Sequence, residues 1–134
     1  MKIYKISNKP ENKEIVVAVI VINNGKVLIL KRGSTAPWMP NKWNLPGGIV
    51  EGREDLKTAA LRECKEETGL NVNNLAFVGK YIDPDFYLYI FRAETKDVNI
   101  NMDFESSDWA WVTKDNYGQY EYVPYVKEVI GGVL

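Results

Sequence analysis

The chain has 134 residues, which suits one domain, and its formal net charge is −1, from 17 basic and 18 acidic side chains; this argues against a protein that binds polyanions through bulk positive charge. It contains no histidine and one cysteine, Cys64, which excludes Ser-His-Asp and Cys-His nucleophilic sites, His- or Cys-based zinc sites and intrachain disulfides. A bound metal ion would be held mainly by oxygen, which favours Mg²⁺, Mn²⁺ or Ca²⁺.

The N-terminal segment MKIYKISNKPENKE lacks the apolar core of a signal peptide, and no apolar run approaches the length of a membrane span, which is about 18 residues. We therefore expect a cytoplasmic protein without a membrane partner. No repeat, low-complexity tract or linker interrupts the chain, so a single domain over residues 1–134 is expected.

The first half of the chain begins with two apolar segments. Glu14–Ile22 is rich in β-branched residues and predicts a buried strand, and Lys26–Arg32 predicts the returning strand of a hairpin that turns at residues 23–25, Asn-Asn-Gly. Residues 33–43 have no periodicity and hold two prolines and two tryptophans, which indicates a loop. Residues 44–48, NLPGG, predict a short strand that runs into a glycine turn.

A helix is predicted over Asp55–Glu67. Asp55 is a good N-cap, and Gly69 is a natural left-handed stop just beyond the end. Apolar residues recur every four positions and form the buried stripe, namely Leu56, Ala60 and Cys64.

The second half of the chain is predicted to consist mostly of strands. Strands are predicted over residues 76–82, 86–94 and 109–113, and a C-terminal helix over residues 123–130, begun near Pro124. The order of elements predicts an α+β domain in which helices cover a mixed β-sheet.

Three acids share one face of the predicted central helix. Glu63 lies three residues before Glu66 and four before Glu67, so their side chains are neighbours, and Glu54 adds an acid near the helix entry. Arg62 alone cannot neutralise them, whereas a hard divalent cation would relieve the repulsion. A solvated charged helix face is the alternative, since most acidic runs are of that kind.

The glycines that precede the helix favour a binding site. Gly47 and Gly48 directly follow a predicted strand, and glycine lets the backbone approach a ligand or metal ion closely. A strand, two glycines, a capped helix and a one-sided acidic face in direct succession are more specific than any of these features alone.

This succession resembles the Nudix box of the Nudix hydrolases, G-x5-E-x7-R-E-U-x-E-E-x-G-U, in which U is a bulky aliphatic residue. The chain matches each fixed position in identity and spacing, through Gly48, Glu54 and the run Arg62–Leu70. The exception is the first U, where Cys64 stands. Cysteine behaves as a small hydrophobe when buried, so the departure concerns packing rather than chemistry. The resemblance implies the Nudix fold, a mixed sheet packed between helices as an α/β/α sandwich.

The resemblance also implies a metal site. Nudix hydrolases cleave a diphosphate bond in derivatives of nucleoside diphosphates with Mg²⁺ or Mn²⁺. By that likeness Glu63, Glu66 and Glu67 are metal ligands, together with the backbone of Gly47.

Two catalytic assignments follow from the same likeness. Arg62 is expected to pair with Glu54 and to orient the helix acids. The general base is either Glu63 in the box or Glu105, which lies six residues before Trp111 on a predicted loop. A solvated surface acid is the alternative for Glu105.

Substrate contacts are predicted at Arg32, Gly48, Trp38 and Tyr87. Arg32, or its neighbour Lys31, ends a strand and would contact phosphate, although basic residues at strand ends are commonly solvated. Trp38, in a proline-bounded loop, and Tyr87 are candidates for stacking on a nucleobase. Trp43 is expected in the core.

The favoured reaction converts a (d)NTP and water to a nucleoside monophosphate and pyrophosphate, as in the MutT-like members. Within the family, Pro84 resembles a proline that ADP-ribose-hydrolysing members often carry, whereas Tyr87 resembles a tyrosine of dinucleoside-polyphosphate members, so the two cues conflict. ADP-ribose, nucleotide sugars and dinucleoside polyphosphates are the alternative substrates. A short chain without an extra N-terminal domain is expected to be MutT-like. A nucleotide-binding module without catalysis is the alternative of another class, although it would be expected to have lost box glutamates. No nucleic-acid partner is expected, and the protein is expected to be a monomer or homodimer.

Overall fold

The computed structural model describes residues 13–134. The predicted absence of a signal peptide concerns a segment that lies almost wholly outside the described residues.

The described residues form one seven-stranded mixed sheet, two α-helices and a short 3-10 turn at Tyr117–Gln119. The strands, in chain order, are β1 (Glu14–Asn23), β2 (Lys26–Arg32), β3 (Trp43–Asn44), β4 (Gly47–Ile49), β5 (Asn73–Ile82), β6 (Phe86–Glu94) and β7 (Ser106–Val112). The helices are α1 (Leu56–Thr68) and α2 (Val126–Val133). The predicted α+β class is confirmed.

The strand β1 lies at the centre of the sheet. It pairs in parallel with β6 along nearly its whole length and antiparallel with β4. Its hairpin with β2 is short, since only Ile22 with Val27 and Asn23 with Lys26 are paired. The far end of β2 pairs instead with β3 and β7. The sheet therefore opens between β1 and β2, and β4 enters beside β1 at that point.

Alternation along β1 divides the core into two layers. Ile15, Val17, Val19 and Val21 face a cluster that includes the buried side of α1, whereas Ala18 and Ile20 face a second cluster that includes α2. A strand that is covered by a helix on each face has to be apolar at every position, which explains the continuous EIVVAVIVI run. The helices thus lie on opposite faces of the sheet, which confirms the predicted sandwich.

Several predicted boundaries differ from the structure, among them the start of β5, which lies at Asn73 rather than at residue 76. Residues 44–48 were predicted as a strand that ends in a glycine turn, but Trp43–Asn44 pairs with β2 and Gly47–Ile49 pairs with β1 as two separate strands. The strand β7 begins at Ser106 rather than at residue 109, because its polar start pairs with Arg32 at the end of β2.

The helix α2 begins at Val126 rather than near Pro124. Tyr125 precedes it in a left-handed conformation, with φ of 77°, and its hydroxyl donates a hydrogen bond of 2.8 Å to Asp83 Oδ1. This contact with the turn before β6 fixes the tyrosine outside the helix. No helix within residues 13–134 is long and apolar enough to cross a membrane.

Candidate active site

The helix α1 is held in place by its cap and its buried stripe. Asp55 accepts a hydrogen bond of 2.8 Å from Thr58 N at the start, and Gly69 ends the helix with φ of 77°. Leu56, Ala60 and Cys64 are buried as predicted, so the rotation of the helix is fixed against β1. Burial also raises the pKa of the Cys64 thiol to about 11, which leaves it a neutral core residue.

The glycines of β4 bring the backbone against two carboxylates of α1. Gly47 lies opposite Ala18 of β1, and its N–H donates a hydrogen bond of 2.9 Å to Glu67 Oε1. Gly48 lies against Glu63, since a Cβ there would stand 2.5 Å from the Glu63 carboxyl carbon. The GG pair therefore lets a strand and an acidic helix face approach with no side chain between them.

Arg62 is the hub of an ion-pair network behind these acids. Its Nη2 lies 2.6 Å from Glu54 Oε1 and its Nε lies 3.1 Å from Glu54 Oε2, a bidentate pair that confirms the expected partner. Its Nη1 contacts Glu63 at 3.1 Å and Glu66 at 3.3 Å. The Nη2 group also donates to the carbonyl of Ile49 at 3.3 Å, which ties α1 to β4.

Two carboxyls of the helix carry raised pKa values. Burial, with smaller contributions from the charges of Glu63, Asp103 and Glu105, raises the pKa of Glu67 to about 9, although the Gly47 N–H opposes it. Burial also raises the pKa of Glu63 to about 7 against the opposing effect of Arg62, and repulsion from Glu66 and Glu105 adds to it. Glu54, by contrast, has a lowered pKa because of its hydrogen bond to Arg62.

A cleft of about 280 Å³ opens beside Glu67. Gly47 and Glu67 belong to its wall, and two segments form its rim, residues 33–37 and residues 104–106. The rim segments are joined by a hydrogen bond of 3.2 Å from Gly33 N to the carbonyl of Glu105. Glu105 therefore lies at the mouth of the cleft and within electrostatic reach of both Glu63 and Glu67.

The donor set fits a hard divalent cation. Carboxylates whose charge is disfavoured by burial and by one another gain from a bound cation, and carboxylate oxygens are the ligands that Mg²⁺ and Mn²⁺ prefer. Within residues 13–134 no three acidic side chains already converge as a finished metal cage. Glu66 is exposed, and its carboxylate accepts a hydrogen bond of 3.3 Å from Arg62 Nη1.

The predicted substrate residues are not all brought together. Arg32 lines the cleft, and its Nε donates a hydrogen bond of 2.7 Å to the carbonyl of Trp38. Trp38 packs edge-on against Phe86, and its ring is not part of the cleft lining. Tyr87 lies away from the cleft, with the ammonium groups of Lys13 and Lys80 4.1 Å and 4.6 Å from its ring centroid.

Two residues near the site were not predicted as site residues from the sequence. Asp103 contributes to the raised pKa of Glu67, and Phe104 lines the cleft although it is almost fully exposed. Their neighbourhood to Glu105 in the run MDFESS was the available signal, but only the fold shows which loop side chains reach the cleft.

Comparisons with known proteins agree on one family. The sequence profile of the NUDIX domain matches residues 12–130. The chain is 30% identical over 118 residues to the nucleoside triphosphatase NudI of Enterobacter sp. (strain 638), which covers 75% of this chain and 82% of NudI. It is 40% identical over 68 residues to a putative 8-oxo-dGTP diphosphatase of Bacillus subtilis, covering 51% of this chain and 43% of that protein.

The fold has a solved counterpart as well. A NUDIX hydrolase from Nitrosomonas europaea superposes with a TM-score of 0.80 at 25% sequence identity, over 91% of this chain and 70% of that one. The chain spans less than half the length of several curated relatives that it matches.

Proposed function

The chain belongs to the NUDIX family, and from that premise we propose that it is a pyrophosphohydrolase that uses Mg²⁺ or Mn²⁺ to convert a (d)NTP and water to a nucleoside monophosphate and pyrophosphate. The observation that carries the proposal is the pairing of Glu67 with the Gly47 backbone on the wall of the cleft. This half-buried carboxyl, whose pKa is raised by burial and by repulsion from its acidic neighbours, lines the cleft that would receive a polyphosphate.

The acids require a positive partner if an anionic substrate is to bind beside them. A bound divalent cation would supply that charge and would lower the pKa of a water molecule bound to it. Glu63, Glu66 and Glu67 would hold it, with the backbone of Gly47. Glu66 would have to leave Arg62 to do so, since its carboxylate is engaged there at 3.3 Å.

Two carboxylates are candidates for the general base that takes the proton of the attacking water. Glu63 is fixed between Arg62 and the backbone of Gly48, which suits a ligand as well as a base. Glu105 is exposed at the rim and its backbone is anchored to Gly33, so its side chain is open to a water in the cleft. Geometry comes first in this choice, because a base has to reach the proton that it accepts.

The basic side of the site comes from two arginines with different roles. Arg62 is engaged by four carboxylates at 3.9 Å or less, among which Glu54 is the strongest partner, so it is a positioning residue for the helix acids. Arg32 lines the cleft and is the candidate contact for a substrate phosphate. Its hydrogen bond to the carbonyl of Trp38 would hold its guanidinium at the rim.

The choice of nucleoside triphosphates is supported by the relatives that are described as a nucleoside triphosphatase and an 8-oxo-dGTP diphosphatase. The experiment is a substrate panel with Mg²⁺ that includes dNTPs, oxidised dNTPs, ADP-ribose, nucleotide sugars and dinucleoside polyphosphates. Phosphate is measured after the addition of pyrophosphatase or phosphatase. We expect the triphosphates to be turned over fastest, and Glu67→Gln to remove that activity.

Glu14→Gln is the matched control, because it changes an exposed carboxylate at the start of β1 outside the cleft lining. Absence of turnover of every compound would contradict the proposal, as would wild-type activity in the Glu67→Gln protein.

A further inference from the structure

Phe104 has the largest exposed fraction, 92%, among the exposed large apolar side chains of residues 13–134. A single exposed apolar residue on a protein surface needs no functional explanation by itself. Phe104 differs from the others in its place, because it lines the cleft directly before Glu105.

The backbone around Phe104 is held firmly although its ring is not. Asp103 Oδ1 accepts a hydrogen bond of 3.1 Å from Glu105 N, which closes a turn around Phe104. The carbonyl of Glu105 accepts a hydrogen bond of 3.2 Å from Gly33 N at the end of β2. The loop is therefore anchored on one side to the sheet, while no aromatic ring of the described residues contacts the phenyl group.

The lining of the cleft combines ionisable and apolar groups. Arg32, Glu67 and Glu105 are ionisable, whereas Ala36 and Pro37 on one rim segment and Phe104 on the other are apolar, beside the polar Thr35 and Ser106. A ligand that suits both kinds of group carries a charged end and a planar apolar end. A nucleotide has this character, because a base presents a π-face to an aromatic ring and its phosphates are charged.

We propose that Phe104 is a specificity-determining residue whose ring stacks on the nucleobase of the substrate, so that the cleft selects nucleotides over polyphosphates that lack a base. This rests on the proposed nucleotide-hydrolysing function and adds to it the group that recognises the base. It also moves the base contact from Trp38 and Tyr87, whose rings lie outside the cleft lining, to the rim beside Glu105.

The test compares two ligands by calorimetry with Mg²⁺ present. One is an α,β-methylene nucleoside triphosphate, which is not hydrolysed at that position, and the other is ribose 5-triphosphate, which lacks a base. We expect Phe104→Ala to weaken the binding of the nucleotide by about tenfold, the size typical of losing one stacked base. The binding of ribose 5-triphosphate should not change.

Three further variants separate stacking from other effects. Phe104→Tyr keeps the aromatic face and should bind like the wild type, and Phe104→Leu keeps apolar area without that face and should bind like Phe104→Ala. Ile82→Ala removes an exposed apolar side chain at the end of β5, outside the cleft lining, and should leave both affinities unchanged. In steady-state kinetics Phe104→Ala should raise KM and leave kcat unchanged.

Equal loss for both ligands in Phe104→Ala, or loss for neither, would overturn the proposal, and so would wild-type binding by Phe104→Leu. The outcome is independent of the hydrolytic reaction. A protein that binds the nucleotide through Phe104 but hydrolyses nothing in the panel contradicts the proposed function alone, and one that hydrolyses triphosphates equally well without the ring contradicts this inference alone.

Discussion

Replacing Gly48 by alanine should separate activity from stability. A Cβ at this position would stand 2.5 Å from the carboxyl carbon and 2.7 Å from Oε1 of Glu63. The carboxylate would have to retreat by about 1 Å to reach an ordinary contact distance between non-bonded atoms. A misplacement of this size at a catalytic group costs about 100-fold in rate, so we expect a loss of that order in kcat/KM.

The stability of Gly48→Ala should change little. The group that has to move is the end of a flexible side chain rather than backbone. Replacing glycine within a strand also recovers about 0.5–1 kcal/mol through the lower conformational freedom of the unfolded chain. The two effects oppose each other, and the midpoint of thermal unfolding is expected to stay near that of the wild type.

Two other glycines are matched controls. At Gly47 a Cβ would overlap the carbonyl oxygen of Val17 and stand 2.8 Å from the Cα of Ala18, so Gly47→Ala forces β4 away from β1 and should destabilise the fold by about 1–3 kcal/mol. At Gly79, in β5, a Cβ meets no atom within 4 Å, and Gly79→Ala should leave the rate unchanged and raise the unfolding free energy by about 0.5–1 kcal/mol.

The assay pairs initial rates on the preferred triphosphate with thermal unfolding followed by circular dichroism. A wild-type kcat/KM in Gly48→Ala would contradict this prediction. So would an unfolding midpoint lowered as much as in Gly47→Ala, since the close approach to Glu63 would then be a matter of packing alone.

Three more predictions follow from the electrostatics of the site. Glu54→Gln breaks the bidentate pair with Arg62, in which the Glu54 and Arg62 side chains are 15% and 22% exposed. It should lower the unfolding free energy by about 1–2 kcal/mol and reduce kcat, because the helix acids are then misplaced. Denaturant unfolding that matches the wild type would contradict this. Because burial raises the pKa of Glu67 to about 9, the folded metal-free protein keeps a proton that the unfolded chain loses at lower pH, so its stability should fall as pH rises from about 5 to 9. Thermal unfolding with EDTA should show this fall in the wild type and a weaker one in Glu67→Gln, and equal slopes would argue against the assigned burial. Glu63→Gln and Glu105→Gln identify the general base. The variant that lacks the base should lose several orders of magnitude in kcat without needing more Mg²⁺, whereas loss of a metal ligand should raise the Mg²⁺ concentration needed for half-maximal activity. Near wild-type kcat in both variants would exclude both residues as the base.

The elements that carry the site follow from local sequence patterns. The continuous apolar run of β1, the cap at Asp55 and the stripe through Cys64 each have a physical cause within a few neighbouring residues, and the structure confirms all three. The division of residues 43–49 into two strands depends instead on which partner each strand meets across the opening of the sheet. The same holds for the delayed start of α2, which Tyr125 and Asp83 set through a contact between distant segments.

In the candidate site, too, local sequence patterns predict some residues and not those that depend on contacts between distant segments. The pair between Arg62 and Glu54 was expected from the resemblance to the Nudix box rather than from a local pattern, since the two residues lie eight positions apart. Arg32 lines the cleft, and its position at the end of a predicted strand had suggested a phosphate contact. The location of the Trp38 ring depends on the path of a loop, and that of the Tyr87 ring on the face of the sheet, neither of which a local pattern specifies. Phe104 was missed because exposure is a property of the fold.

The identity of the products tests the central claim most directly. The protein is incubated with Mg²⁺ and the triphosphate that the panel selects, and the products are separated by ion-exchange chromatography without any added phosphatase. Nucleoside monophosphate and pyrophosphate in equal amounts, absent when EDTA is added, are the predicted result. Nucleoside diphosphate and orthophosphate, or equal turnover with EDTA present, would contradict it.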